Sequence, residues 1–436
     1  MKMNKAILLL AIVVLQTTSA LAQGGVLTLN DAIDRALKEG FQIEIARNDL
    51  EIAHNNNHAG NAGMLPTVRL NVSENPSLTN IHQELVNGTV IKSNNVGSHA
   101  FNANLQIGFT LFDGGKMFAT RERYRELERI GETNVKATIQ NTLSDVIQAY
   151  TYAVTQQKYL RVLEELLSVS ESRKTLVEAQ QASGMANNTD LFLAQLDVDS
   201  RKQAIASQRV AIKNAIVALN VLLNFLADTT YQLQTELEVN KTLDKATLES
   251  QFKNNPEYVF AESQTKVALQ MQKEMSAARF PQLGLTAQYG YTLSQSQAGF
   301  SLFNQNYGPA GIITLSVPLF SGNVNARNYK NSTLEYENAK LAQEQTILSL
   351  HSSFEQAWQT YSIALEQVAN DEKSVATAQQ YVSLMEQRYN LGQSTVVEFR
   401  EAQRSFEETN YRLISNQYLL KLAETDLLRL TGQMVR

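Results

Sequence analysis

The chain has 436 residues, a formal net charge of −5 and no cysteine. A hydrophobic share of 43% is that of a folded protein, and the missing thiols exclude disulfides, thiolate metal sites, a cysteine nucleophile and a lipid carried on an N-terminal cysteine. The mildly acidic balance, with no basic block, speaks against a nucleic-acid partner.

The first element is a leader. Lys2 and Lys5 precede the apolar run Ala6–Leu15, and Ala20-Leu21-Ala22 forms a small-residue cleavage site. The expectation is a secretory signal peptide over 1–22 and a mature chain starting at Gln23, more acidic by two lost lysines. No later stretch holds the ~20 consecutive apolar residues a membrane helix needs. If the chain spans a membrane, it does so with strands.

LNDAIDRALKEG (Leu29–Gly40) reads as a short helix, followed by a second over Phe41–Gly63. After Leu65-Pro66, Val68, Leu70 and Val72 alternate with Thr67, Arg69, Asn71 and Ser73, the period of a strand. A polar loop follows at about 75–99. Phe101 to Leu111 then alternates again: Phe101, Ala103, Leu105, Ile107, Phe109 and Leu111 on one face, Asn102, Asn104, Gln106, Gly108 and Thr110 on the other. The run closes in LFDGG (Leu111–Gly115). Lys116–Ser183, with Gly131 as its only glycine and no proline, reads as one very long helix, and Asn187–Ala227 as its partner beyond Gly184.

Half a chain later the same order recurs. DKATLESQFKNN (Asp244–Asn255) resembles Leu29–Gly40, and Asn255-Pro256 opens a helix over Glu257–Arg279, with asparagine as N-cap and proline in the first turn. Phe280-Pro281 starts a strand whose Leu283, Leu285, Ala287, Tyr289, Tyr291 and Leu293 face one way. A polar loop at about 294–306 leads to Ile313, Leu315, Val317 and Leu319, and LFSGN (Leu319–Asn323) repeats the junction. Asn323–Leu391 contains no glycine or proline, Gly392 breaks it, and Gln393–Thr431 returns. Self-similarity on this scale marks a duplicated unit, here 23–228 and 229–436.

The long helices need partners. Ile347, Leu350, Phe354, Ala357, Tyr361, Ala364 and Val368, then Val375, Ala378, Val382, Met385 and Tyr389, keep alternating spacings of three and four, interrupted by Asp371. That is a coiled-coil seam. Ile139, Val146, Ala149, Ala153, Leu160, Leu163 and Leu167 hold the corresponding slots of the first copy. The returning helices are shorter, so the short helices 41–63 and 257–279 are expected to stack on their ends as composite partners. On the strands, the polar faces are uncharged except for Arg69, as in a hydrated lumen, and the apolar faces carry aromatics toward their ends, as membrane strands do. Four strands cannot close a barrel and an open edge cannot face lipid, so the chain must oligomerise.

In this order of elements, in the LFDGG and LFSGN junctions, and in the turns GMANNTD (Gly184–Asp190) and LGQSTVVEF (Leu391–Phe399), the chain resembles the TolC-like outer-membrane efflux proteins over nearly all of its mature length. The resemblance implies an α+β membrane protein. Three chains would share a twelve-stranded transmembrane β-barrel, continued by a periplasmic α-barrel of long antiparallel helical hairpins. The short helices near Asp31–Glu39, segment 228–255 and the chain end would form an equatorial belt. The implied function is passive conduction from an inner-membrane pump through a periplasmic adaptor to the outside. It requires no cofactor.

By the same resemblance, Gly184, Met185, Gly392, Gln393 and Ser394 would form the adaptor-docking tips. Asp190, Tyr389, Glu398 and Glu401 would line the gate, the two glutamates sharing one helix face. Some relatives lock the closed tip with an arginine two residues after the second glycine. That position is Ser394 here, which leaves Arg388 or Arg400 as candidate locks.

Bland readings stand beside these. Glu398 and Glu401 can be solvated helix acids. Trp358 and Tyr361 are packing residues at the seam. His54 and His58, four apart without a third ligand, are a weak metal motif. No nucleophile elbow, phosphate loop or paired-carboxylate motif marks an enzyme. The exit duct of a type I protein secretion system uses the same architecture, and a non-conducting periplasmic coiled coil is the reading from a different class.

Overall fold

The computed structural model describes residues 25–236 and 238–434. The expected signal peptide over 1–22, and the start at Gln23, lie outside the described residues. Among the described residues no helix is long and apolar enough to cross a membrane. The order of elements is β1 Val26–Leu27, α1 Leu29–Glu39, α2 Phe41–Asn56, β2 Thr67–Glu84, β3 Val90–Phe112, α3 Lys116–Ala182, α4 Asn188–Leu222 and β4 Gln232–Leu233. It continues with α5 Lys245–Ser250, a short 3₁₀ turn, α6 Pro256–Ala277, β5 Gln282–Ser296, β6 Phe303–Ser316, α7 Val324–Asn390 and α8 Val396–Leu430. α3 and α7 each have 67 residues, about 100 Å at 1.5 Å per residue.

Two compact units emerge, and each draws on both halves of the sequence. Of the described residues, one contains those up to Asn48, those within Thr133–Val259 and those from Gln345 onward; the other contains Asp49–Glu132 and Phe260–Glu344.

The first unit is a set of antiparallel helical hairpins. In the α7–α8 hairpin the predicted seam is the core: Leu350, Phe354, Tyr361, Ala364 and Val368 pack with Leu420, Ala423, Leu427 and Leu430. Asp371 interrupts the seam yet is buried, its carboxylate accepting from Arg412 Nε and Asn416 Nδ2, each at 2.7 Å. A polar group inside a seam fixes register, because any slip leaves it unpaired. In the α3–α4 hairpin, Val146, Ala153 and Leu163 are buried as expected. Leu166 is buried where Leu167 was predicted, because the buried row there runs Leu163, Leu166, Ser170, Arg173, Val177. Spacing by threes and fours does not by itself say which of two adjacent leucines faces in.

Short segments seal these hairpins. Ala32 and Ala36 of α1 pack on Val146, Tyr150 and Leu219, and the Tyr150 hydroxyl donates to Leu27 O at 2.9 Å. Burial pushes that phenol up to about 12. On the α7–α8 hairpin Tyr361 donates to Asn240 O at 2.7 Å, and Phe252 stacks on His351 and meets Phe354 edge-on.

The expected end-to-end stacking has a specific stitch. Asn255 Nδ2 donates to Leu430 O at 2.9 Å while its Oδ1 accepts from Glu257 N at 2.7 Å, so one side chain satisfies the end of α8 and the start of α6. Arg35 Nε donates to Leu223 O at 2.9 Å, and the Asn224 amide donates to Glu39 O, at the end of α4. The helices are shorter than predicted. α2 ends at Asn56 rather than Gly63, in an asparagine run followed by Gly60 and Gly63, and α4 ends at Leu222, before Asn224 at φ 52°. α8 starts at Val396, after the Thr395 cap.

The second unit carries a four-stranded antiparallel sheet in the order β2-β3-β5-β6. Its ladders align the apolar residues of all four strands: Leu70, Leu105, Tyr289 and Pro309 form one row, and Val72, Ala103, Tyr291 and Tyr307 the next. Directly opposed residues share a face, so the predicted alternation becomes one continuous apolar face backed by a polar one.

Three strand expectations are corrected. Residues 75–84 and 90–99 are strand, not loop, with the chain reversing over Leu85–Thr89 around Asn87-Gly88; the second loop shrinks to 297–302. Polar threonines, serines and asparagines extend the ladder there because cross-strand backbone bonds, not apolar side chains, hold a solvated ribbon together. A bulge between Thr110 and Phe112 puts Phe112, not Leu111, opposite Leu283. Finally, β6 stops at Ser316, short of Val317 and Leu319, because Pro318 has no N–H to give the ladder. The two strand-to-helix junctions keep their kinship: Gly114-Gly115 and Gly322-Asn323 are each a consecutive pair at positive φ.

Candidate functional site

The sequence singles out the two turns that close the long hairpins, and they share one construction. At the first, Gly184 has φ +75°, Gly184 N donates to Gln181 O at 2.9 Å and Met185 N to Gln180 O at 2.8 Å. At the second, Gly392 has φ +69°, Gly392 N donates to Tyr389 O at 2.9 Å and Gln393 N to Arg388 O at 2.8 Å. Both are Schellman closures, in which a left-handed glycine lets the chain turn back on the last helical carbonyls. A Cβ on either glycine meets nothing within 4 Å, so backbone angle, not space, dictates the residue.

Each returning helix starts with a reciprocal capping box. The Asn187 side chain accepts from Asp190 N at 3.0 Å and Asp190 Oδ2 accepts from Asn187 N at 3.3 Å. The Thr395 hydroxyl accepts from Glu398 N at 3.2 Å, and Glu398 Oε2 accepts from Thr395 N at 2.7 Å. Asp190 and Glu398 therefore occupy the same structural position in the two hairpins. The Thr395 backbone and hydroxyl donors, helped by Arg388, hold the Glu398 carboxyl below the usual range. Glu401 is not brought onto this cap; it lines a cleft of about 430 Å³ between α4 and α8 with Asp197, Arg201, Arg400, Gln403 and Glu407.

The other predicted tip residues are also placed. Met185 is 77% exposed, and the Ser394 hydroxyl is buried with no hydrogen-bond partner among the described residues. Tyr389 stacks on Phe399 at 5.5 Å between ring centres, with the Arg173 guanidinium 5.8 Å from its ring. Of the two candidate locks, Arg388 donates to Gln393 O at 3.1 Å and so closes its own turn. Arg400 reaches across to Asp197 of α4 at 3.3 Å.

Sequence reading missed the cluster that joins the hairpins behind the turns. Asp197 also takes Arg173 of α3 at 2.5 Å, a guanidinium whose side chain is 3% exposed. Arg201 of α4 pairs with Glu407 of α8, and the Tyr159 hydroxyl of α3 donates to the same carboxylate at 3.1 Å. Burial raises the Tyr159 phenol to about 12, with Glu407 adding to the effect. The available signal was an arginine in a row of buried spacing, Leu166–Ser170–Arg173–Val177. Nothing local said that its partner lay on the returning helix. His54 forms a 2.6 Å contact to Glu128 and His58 accepts from Gly60 N, so the two histidines are engaged separately. Trp358 lies against Tyr361 in the seam core.

Comparison with known proteins bears on the whole chain. The family model described as outer membrane efflux protein matches residues 32–224 and 248–433. The cation efflux system protein CusC of Escherichia coli (strain K12) is 25% identical over 355 residues, covering 78% of this chain and 75% of that one. The proteases secretion protein PrtF of Dickeya chrysanthemi is 22% identical over 463 residues, covering 98% of this chain and 95% of that one. The crystal structure of the outer membrane protein VceC from Vibrio cholerae superposes with a TM-score of 0.76 at 17% identity, covering 93% of this chain and 96% of that chain, a likeness of fold.

Proposed function

The chain belongs to the outer membrane efflux protein family, and from that premise we propose that it is the trimeric exit channel of a tripartite efflux pump, passing solutes from an inner-membrane transporter and periplasmic adaptor to the outside. It is an outer-membrane channel protein, not an enzyme. The observation that carries the finer reading is the sheet: one face is apolar from the row of Phe109, Leu285 and Ile313 to the row of Val72, Ala103, Tyr291 and Tyr307, the other is mostly polar, and among the described residues β2 and β6 each have a free edge. A free edge in lipid leaves backbone groups unpaired at several kcal/mol each. Pairing β2 of one copy with β6 of the next removes every edge, and three copies make twelve strands. The family model, matching once in each half, supports 23–228 and 229–436 as two copies of one unit.

In this reading the turns at Gly184–Met185 and Gly392–Ser394 meet the adaptor, and Asp190, Tyr389, Glu398 and Glu401 border the gate. Arg400–Asp197 and Arg201–Glu407 hold α8 to α4 and take the place of the missing arginine at Ser394. PrtF favours one second reading, a duct for secreted protein; co-purification with an ATP-driven rather than a proton-driven transporter would decide for it.

The test is mass determination in detergent followed by single-channel recording in planar bilayers. The expected result is a trimer that conducts weakly, and more strongly in the Arg201→Ser, Arg400→Ser double variant. A monomer, or a trimer that conducts in neither form, overturns the proposal in favour of a non-conducting coiled coil. A conducting trimer unchanged by the double variant removes these two pairs as the lock.

A further inference from the structure

The polar face of the sheet carries a charge that passive conduction does not require. Across the four strands the row at Arg69 reads Arg69, Gln106, Gln288 and Ala310. The rows around it present hydroxyls, amides, glycines and Ile312. From Thr67 to the bulge after Thr79, and along the facing positions of β3, β5 and β6, Arg69 is the only ionisable side chain on that face among the described residues. The nearest acid along β2, Glu74, is of opposite parity and belongs to the apolar face, where it contacts His99 at 3.3 Å. Arg69 forms no ion pair among the described residues. The face around it is low: methyl groups placed on Gly284, Gly290 or Gly308 meet nothing within 4 Å. A long cationic side chain thus stands in open space above a wall of neutral, hydrogen-bonding groups.

Guanidinium groups bind carboxylate and phosphate through paired N–H donors, rings of arginine select anions in pores, and low-dielectric walls focus their field. We propose that Arg69 is the anion-selecting residue of the barrel, repeated in each copy as a ring that transiently binds carboxylate- or phosphate-bearing solutes on their way out. This deepens the channel reading and rests on it. It concerns a different group from the tip acids, whose charge is of the opposite sign.

The probe is inorganic tripolyphosphate, added to the barrel side of single trimers in planar bilayers at about 0.1 M salt, where the screening length is about 10 Å. Wild type is expected to show voltage-dependent block, and Arg69→Gln to be blocked about tenfold less tightly, the loss of one charge-assisted contact. The chain has no cysteine, so Arg69→Cys introduces a single thiol. Its reaction with a trimethylammonium-bearing thiosulfonate should restore block, and reaction with a sulfonate-bearing one should not. Equal block of wild type and Arg69→Gln overturns the assignment. A trimer that does not conduct overturns the channel reading instead. In that case labelling still decides the face: a thiol at 69 that resists both water-soluble reagents, in folded protein where a thiol at 71 reacts, overturns the placement of Arg69.

Discussion

Leu105 and Asn104 are neighbours in β3, and the ladders put them on opposite faces. Leu105 stands directly between Leu70 and Tyr289, and Asn104 between Asn71 and Gly290. Arginine at Leu105 must enter the hydrocarbon near mid-strand, at about 2–4 kcal/mol per copy. It also forfeits the contact of a leucine that is 44% exposed in the single chain and faces lipid in the proposed barrel. Arginine at Asn104 gives up one amide contact, Asn104 Nδ2 to Gln288 Oε1 at 3.2 Å, worth about 1 kcal/mol. Its charge stays in water, and repulsion from Arg69, diagonally placed on the same face, adds only tenths of a kcal/mol at physiological salt. The difference is about 1–3 kcal/mol, roughly fivefold to 150-fold in the folding equilibrium. Urea titration in lipid vesicles, read by the gel mobility of unheated samples, measures it; the single tryptophan, Trp358, lies in the α7 seam and does not report on the strands. The expected order is wild type, Asn104→Arg close below it, and Leu105→Arg far below. Equal losses, or the reverse order, refute the faces deduced from register.

Two further outcomes follow from local geometry. Glu128 holds the His54 imidazole above its ordinary value of 6.5, and His54 with Asn57 holds the Glu128 carboxyl below 4.5. The histidine part of this stability is complete below 6.5 and lost as pH rises through the raised value; the glutamate part is complete above 4.5 and lost as pH falls through the lowered one. Wild type should therefore exceed His54→Gln most in urea titrations between these limits and lose that advantage as pH rises above 6.5 through the raised value; an advantage that grows with pH contradicts the pairing. At the second turn, Gly392→Ala should cost about 1–2 kcal/mol through its left-handed φ, and Gly392→Asn distinctly less. Calorimetry that ranks alanine at or above asparagine removes the backbone argument.

Much of this protein was legible without coordinates because periodicity is a local property. Spacings of three and four placed Leu350, Phe354, Tyr361 and Val368 in a seam, and alternation sorted Leu105 from Gln106, since each residue's direction follows from its neighbours in the chain. Repetition of LFDGG as LFSGN, and of one glycine turn as another, was legible for the same reason. Strand length was harder to read: 75–84 and 90–99 carry no apolar alternation, and their place in the ladder rests on backbone bonds to a partner strand, although Asn87-Gly88 was a turn signal in plain view. Choosing Leu166 over Leu167, or Phe112 over Leu111, took the opposing surface, because a register is a relation between two segments. The cluster of Arg173, Asp197, Arg201, Arg400, Glu407 and Tyr159 lay furthest from view. Its members come from three helices and carry no spacing in common, so only the packing of those helices decided that two carboxylates would gather three arginines. The sequence by itself settled the period of each element and, where the pattern was unbroken, which of its side chains share a face. The tertiary structure decided which side chain it meets there.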